Sequence, residues 1–146
     1  MAKATTVAAY ILKQKGPMSA MKLQKLVFYA QAWALVWDEK PLFNERVEAW
    51  ANGPVVPELY RIHAGKFELK SSDFISLPGE GLEENERGTI DAVIAAYGDM
   101  TAQSLSDRTH SESPWERARK GLAPGERGSA EISLAEMHEF YSGIDK

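Results

Sequence analysis

The sequence predicts a mostly α fold: a compact, single-domain helical bundle with a small β-hairpin between its second and third helices. Apolar residues recur every three or four positions through most of the segments between turn signals, which is the period of a helix. Capping residues and Gly-Pro breaks mark where those segments start and stop. Only one short stretch, Val47 to Ala51, alternates with the period of two expected of a strand. The 146 residues, 44% of them apolar and 26% charged, suit one packed core and stand far from a disordered composition.

From Ala4 to Gln14, the residues Val7, Tyr10 and Ile11 share a helical face, and Gly16-Pro17 ends this first helix. Ser19 is placed to cap the second. There Leu23, Leu26, Val27, Ala30, Ala34 and Trp37 form one stripe that Tyr29, Trp33 and Val36 widen, which predicts a central helix packed on more than one side. Between Pro41 and Gly53, Leu42-Phe43 precede Asn44-Glu45, and Val47, Ala49 and Ala51 follow, as in a short hairpin. Asn52-Gly53-Pro54 signals a turn, while Pro57 with Glu58 opens a short helix that Gly65 closes. The stretch from Lys66 to Gly81 mixes Phe67, Leu69, Phe74 and Ile75 with turn residues and is expected to be irregular.

A further helix runs from about Glu83 to Tyr97, with Ile90, Val93, Ile94 and Tyr97 facing the core and Glu83, Glu84 and Glu86 near its positive N-terminal end. Thr101 is placed to cap a short helix, with Met100 and Leu105 as its hydrophobic staple. Ser113-Pro114-Trp115-Glu116 combines a capping-box Ser and Glu with proline at the first helical position. The capping-box logic recurs at Ser133-Leu134-Ala135-Glu136 and opens a final helix that ends near Gly143. Between these two, Gly121 to Gly128 reads as a flexible loop.

Composition removes several kinds of function. The absence of cysteine excludes disulfides, thiolate metal sites and a cysteine nucleophile. Three scattered histidines, His63, His110 and His138, suggest no metal, and no phosphate-binding or dinucleotide motif is present, so no cofactor is expected. Neither a signal peptide nor a membrane span is visible, which makes a cytoplasmic location the expectation. A net charge of -4 opposes general attraction to nucleic acid or anionic membrane, although Lys13, Lys15, Lys22 and Lys25 form one local basic cluster.

Two chemical readings have partial support. Ser106, Asp107 and His110 contain the parts of a hydrolase triad, but on one short helix their spacing implies no ordered relay, and a structural role for His110 is favoured. The first two helices also read as a helix-turn-helix, with Lys22, Gln24, Lys25 and Gln31 as base-reading candidates for a transcriptional regulator. The apolar content of the second helix and the acidic balance both oppose DNA as the partner. Large aromatics are numerous, with Trp33, Trp37, Trp50, Trp115, Tyr29 and Tyr60 among them. Any left at the surface would mark a protein interface.

The ordered combination of Met21 to Trp33, Pro41-Leu42-Phe43, Glu48-Ala49-Trp50, Gly53 to Tyr60 and Thr109 to Trp115, followed by the helix after Ile132, resembles the Panacea domain family. That family includes SocA-like antitoxins and phage-associated GepA-type proteins, and the resemblance covers nearly the whole chain. It implies a non-enzymatic antitoxin that neutralises a cognate protein toxin, encoded by an adjacent gene, by direct binding. One SocA-like branch further implies a proteolytic adaptor that delivers the toxin to the ClpXP protease. A shared scaffold does not fix its partner, so the toxin itself is not implied.

On this basis the partner-binding candidates are Lys22, Lys25 and Tyr29 on a polar helix face together with Trp50, Val55 and Tyr60. The alternative for Trp50 and Tyr60 is that they seal the core around the turn. Leu23, Gly53, Pro54, His110, Pro114 and Trp115 are assigned to the structural motif.

Overall fold

Ser19 opens the longest helix: its Oγ accepts the Lys22 backbone N–H at 3.2 Å, and α2 then runs from Ala20 to Trp37. Every residue from Leu23 to Leu35 is buried, polar ones included. A helix without a solvated face belongs at the centre of a fold. The computed structural model describes residues 2–74 and 81–144, and in it α2 packs against α1 (Ala4–Lys15), α4 (Glu84–Tyr97), α5 (Ala102–His110) and α7 (Leu134–Ile144). Each fully buried Leu or Val on these faces contributes roughly 1.5–3 kcal/mol relative to an exposed one. Trp37, expected in the buried stripe, instead lies 43% exposed at the C-terminal end of α2, stacked on Trp33 at 4.9 Å.

The fold is mostly α. Two small sheets accompany the helices among the described residues. In the first, β1 (Met18–Ser19) pairs antiparallel with β4 (Glu68–Leu69), so part of the stretch expected to be irregular is a strand; Ile75 lies outside the described residues. In the second, β2 (Val47–Trp50) is central, flanked by β3 (Gly53–Val55) and β5 (Glu131–Ile132), both antiparallel to it. The hairpin therefore turns at Ala51-Asn52 and not at Asn44-Glu45. Gln31 supplies the reason. Its Oε1 accepts the N–H groups of Leu42 and Phe43, and its Nε2 donates to the Phe43 carbonyl at 2.9 Å. A glutamine amide thus occupies the backbone groups through which Leu42-Phe43 would have paired as a strand.

Helix α3 (Pro57–His63) follows the hairpin directly, with proline at its first position. Glu86 folds back onto the backbone N–H of Glu83 at 2.8 Å to start α4, and the Thr101 and Ser133 hydroxyls accept N–H groups at the starts of α5 and α7. The expected cap at Ser113 is different: Ser113 is the first residue of α6 (Ser113–Ala118), Pro114 the second, and Glu112 holds the cap position with its side chain turned inward. Glu112 Oε1 accepts from the Tyr29 hydroxyl at 2.7 Å and from the Tyr141 hydroxyl at 2.8 Å. Burial raises the Glu112 carboxyl above its ordinary range, and the two phenol bonds partly offset that rise. Tyr29 stacks in turn on Tyr97 at 4.1 Å, whose hydroxyl accepts from Trp33 Nε1 at 3.0 Å. Helices α2, α4, α6 and α7 meet in this one network.

Replacing Gln31 by Leu keeps the volume but strands two backbone N–H groups and a carbonyl in the core. We expect a loss of about 2–4 kcal/mol. Denaturant unfolding with an unchanged m-value checks it, and a loss below about 1 kcal/mol contradicts the clamp.

Candidate functional site

Where the first turns of α2 meet the β2–β3 hairpin and α3, the fold leaves a cavity of about 560 Å³. Its walls include Met21, Gln24 and Lys25 from α2, Trp50 and Val55 from the hairpin, and Tyr60 and His63 from α3. Arg127, Gly128 and Ser129, from the loop ahead of β5, complete the lining. Tyr60 is 41% exposed and meets Trp50 edge-to-face at 5.0 Å and His63 at 5.4 Å, so one wall is aromatic. Trp50 is held from both ends: its Nε1 donates to Glu48 at 2.9 Å, and its carbonyl accepts from Trp115 Nε1 at 2.9 Å.

Gln24 fixes the protonation of the histidine. Its Oε1 accepts the Val56 N–H at 2.9 Å, which orients the amide so that Nε2 is the donor facing His63 Nε2 at 3.0 Å. His63 therefore accepts at Nε2 and carries its proton on Nδ1. Burial lowers its pKa, which keeps the ring neutral.

Lys25 has no such partner. It is 2% exposed, and it forms neither an ion pair nor a hydrogen bond among the described residues. Burial depresses its pKa to about 8. The aliphatic chain reaches the cavity because residue 53 is glycine: a Cβ there would stand 2.5 Å from Lys25 Cε and 3.1 Å from Nζ. Gly53 also adopts φ +127, a conformation that side-chain-bearing residues avoid. Behind this point His110 stacks on Trp115 at 3.9 Å, its Nε2 without a hydrogen-bond partner among the described residues. Its pKa is lowered first by burial and then by the charge of Lys25.

Of the six residues expected to meet a partner, the cavity brings together Lys25, Trp50, Val55 and Tyr60. Lys22 lies outside its lining, where the charges of Lys15 and Asp99 act on it. Tyr29 is a correction: it is fully buried against Tyr97 and Glu112. The spacing of Lys22, Lys25 and Tyr29 does place them on one helix face, but that face turns inward and Lys25 is buried too. Leu23 lies in the core, Pro54 and Pro114 are buried, and Trp115 braces β2 from behind. The lining residues that sequence reasoning did not single out for partner binding include Met21, Gln24, His63 and the 127–129 loop. Gln24 had a signal, a polar residue inside an apolar helix, read as a base contact.

Neither chemical alternative assembles. Ser106 Oγ donates to the Asn52 carbonyl at 2.8 Å, Asp107 accepts from Gln103 at 2.9 Å, and His110 faces Trp115, so these three form no relay. Gln24, Lys25 and Gln31 are buried, which removes three of the four candidate base readers. Among the described residues no helix is long and apolar enough to cross a membrane.

Residues 23–116 match the family model described as "Antitoxin SocA-like, Panacea domain". The chain belongs to this Panacea family. A curated relative, Antitoxin SocA of Caulobacter vibrioides, is 31% identical over 117 residues, a match that takes in 72% of this chain and 62% of the relative. The comparison with solved structures found no match. The Panacea match begins at Leu23 and ends at Glu116, so it holds most of the cavity wall and the whole brace behind it. It excludes Met21 and the 127–129 loop.

The buried ammonium makes a pH-dependent prediction. In the unfolded chain Lys25 titrates near 10.5 and in the folded one near about 8, so between those values the unfolded state binds more protons and stability rises with pH. Below about 8 the full penalty applies, about 3 kcal/mol. Lys25→Met should therefore stabilise the protein at pH ~7, and the gain should fade as pH approaches ~10.5. Unfolding titrations of both proteins across that range check this. A Met variant less stable at neutral pH would show that the ammonium is satisfied in the fold.

Proposed function

We propose that this chain is an antitoxin that neutralises a protein toxin by binding it directly, with the face around the Lys25 cavity as its docking surface. Membership of the Panacea family and the likeness to Antitoxin SocA support the role. The observation that carries the choice of surface is the aromatic-walled cavity itself. Trp50 and Tyr60 are large and braced by neighbours, and Tyr60 is half exposed, which is the character of residues that dominate protein-protein affinity. Because Tyr60 is exposed, its truncation tests binding without unfolding the chain.

Co-expression with the product of the adjacent gene should rescue growth and yield a stable complex. Tyr60→Ala should weaken that complex by about 2 kcal/mol or more in a titration, with the melting temperature of the free protein little changed. An adjacent product that is harmless alone, or a complex indifferent to Tyr60→Ala and Trp50→Ala, would count against the role and the surface respectively. Direct binding serves either occlusion of the toxin or its delivery to ClpXP. Toxin half-life separates the two: delivery shortens it only when both this protein and ClpXP are present, and occlusion leaves it unchanged.

A further inference from the structure

We infer that the cavity is a carboxylate-binding site, in which the Lys25 ammonium receives an acidic side chain or C-terminal carboxylate of the partner protein while an adjacent apolar residue packs against Trp50 and Tyr60. The partner's identity rests on the antitoxin reading; the chemistry of the site rests on the cavity.

Charge complementarity selects the occupant. The chain carries 21 acidic against 17 basic residues, yet the cavity lining holds two cations, Lys25 and Arg127, and no Asp or Glu. Gln24 is already engaged with Val56 and His63, and Trp50 Nε1 with Glu48. The charges that line the cavity are both positive. Elsewhere on the molecule lysines have found partners, as Lys66 has in Asp73 at 2.7 Å and Lys15 in Asp99. Lys25, far more deeply buried than either, has none among the described residues.

A buried cation without a counter-charge is unfavourable for folding unless something supplies one, and a ligand that binds only the folded state does so. Gly53 leaves the space the ammonium occupies, and a residue with a side chain would close it. Size and polarity narrow the ligand further. About 560 Å³ admits one or two side chains, and one enclosed ammonium flanked by Trp50, Val55, Met21 and Tyr60 suits a monoanion carried on apolar atoms. Nucleic acid binds through several solvent-facing cations along a surface, which this cavity does not offer.

The test uses the full chain labelled with ¹⁵N and three blocked peptides: acetyl-Leu-Glu-Leu-amide, acetyl-Leu-Gln-Leu-amide, and acetyl-Leu-Leu with a free C-terminal carboxylate. At least one carboxylate peptide should shift the amide resonances of Trp50, Asn52, Tyr60 and His63 and bind about tenfold or more tighter than the Gln peptide. Which of the two does so distinguishes a side chain from a chain end. Lys25→Met should abolish the preference and Arg127→Ala should reduce it, each variant still melting cooperatively and Lys25→Met no lower than the wild type at pH ~7. Equal binding of the Glu and Gln peptides overturns the inference. So does a preference that survives Lys25→Met, a shift pattern centred elsewhere, or no shift at saturating peptide.

With the co-expressed toxin, Lys25→Met should weaken the complex at least about tenfold. Unchanged toxin binding by that variant overturns the inference and leaves the antitoxin reading standing. A wild-type chain that binds no toxin overturns the antitoxin reading, while the peptides still decide the cavity.

Discussion

Helix α2 is enclosed on every side from Leu23 to Leu35, and that enclosure obliges each polar group on it to find a partner inside the protein. Gln31 satisfies its amide on the Leu42-Phe43 backbone, and Gln24 does the same on Val56 and His63. Tyr29 donates to Glu112, and Trp33 to Tyr97. Each of these bonds also places something else: the approach to β2, the start of α3, the cap of α6, the packing of α4. Lys25 is the exception among them, and it opens onto the cavity.

The site is held from behind as firmly as it is framed in front. Trp115 donates to the Trp50 carbonyl, stacks on His110 and lies beneath the Arg119 guanidinium at 5.2 Å. Arg119 in turn donates to the Ala49 carbonyl at 3.1 Å and to carbonyls of Ala123 and Glu126. One cluster from α6 therefore positions both the strand that carries Trp50 and the loop that carries Arg127. Glu112, at the cap of α6, links that cluster to the core through Tyr29 and Tyr141. Core, brace and cavity wall are mechanically continuous.

Helices were legible because their signals are local. Ser19, Thr101 and Ser133 cap where their spacing implies, and the breadth of apolar surface on α2 foretold its central place. Four of the six residues expected to meet a partner share a cavity, three of them because the hairpin turn and the start of α3 adjoin in the chain. What stayed hidden depends on contacts distant in sequence. No local pattern shows that Gln31 captures Leu42-Phe43, which displaces the hairpin. Nor does one show that Glu112 withdraws into the core, which takes Tyr29 off the surface and moves the cap of α6. The 127–129 loop reaches the cavity because β5 pairs with β2, Val47 opposite Ile132 and Glu48 opposite Glu131, a long-range register that composition does not reveal.

In that loop the main chain and the side chains have separate roles. The ammonium, the aromatic wall and Trp115 lie within residues 23–116, the span that matches the family, whereas Arg119 and Arg127 to Ser129 lie beyond it. Arg119 grips the loop by main-chain carbonyls, which any sequence provides. Gly128 is part of that path, since a Cβ there would stand 2.5 Å from Leu122 Cδ1 and 3.1 Å from Arg119 Nη1, whereas the side chains of Arg127 and Ser129 take no part in the grip. The course of this rim is thus set by main-chain carbonyls and one missing side chain, so Arg127 and Ser129 can be substituted without loosening what holds it in place.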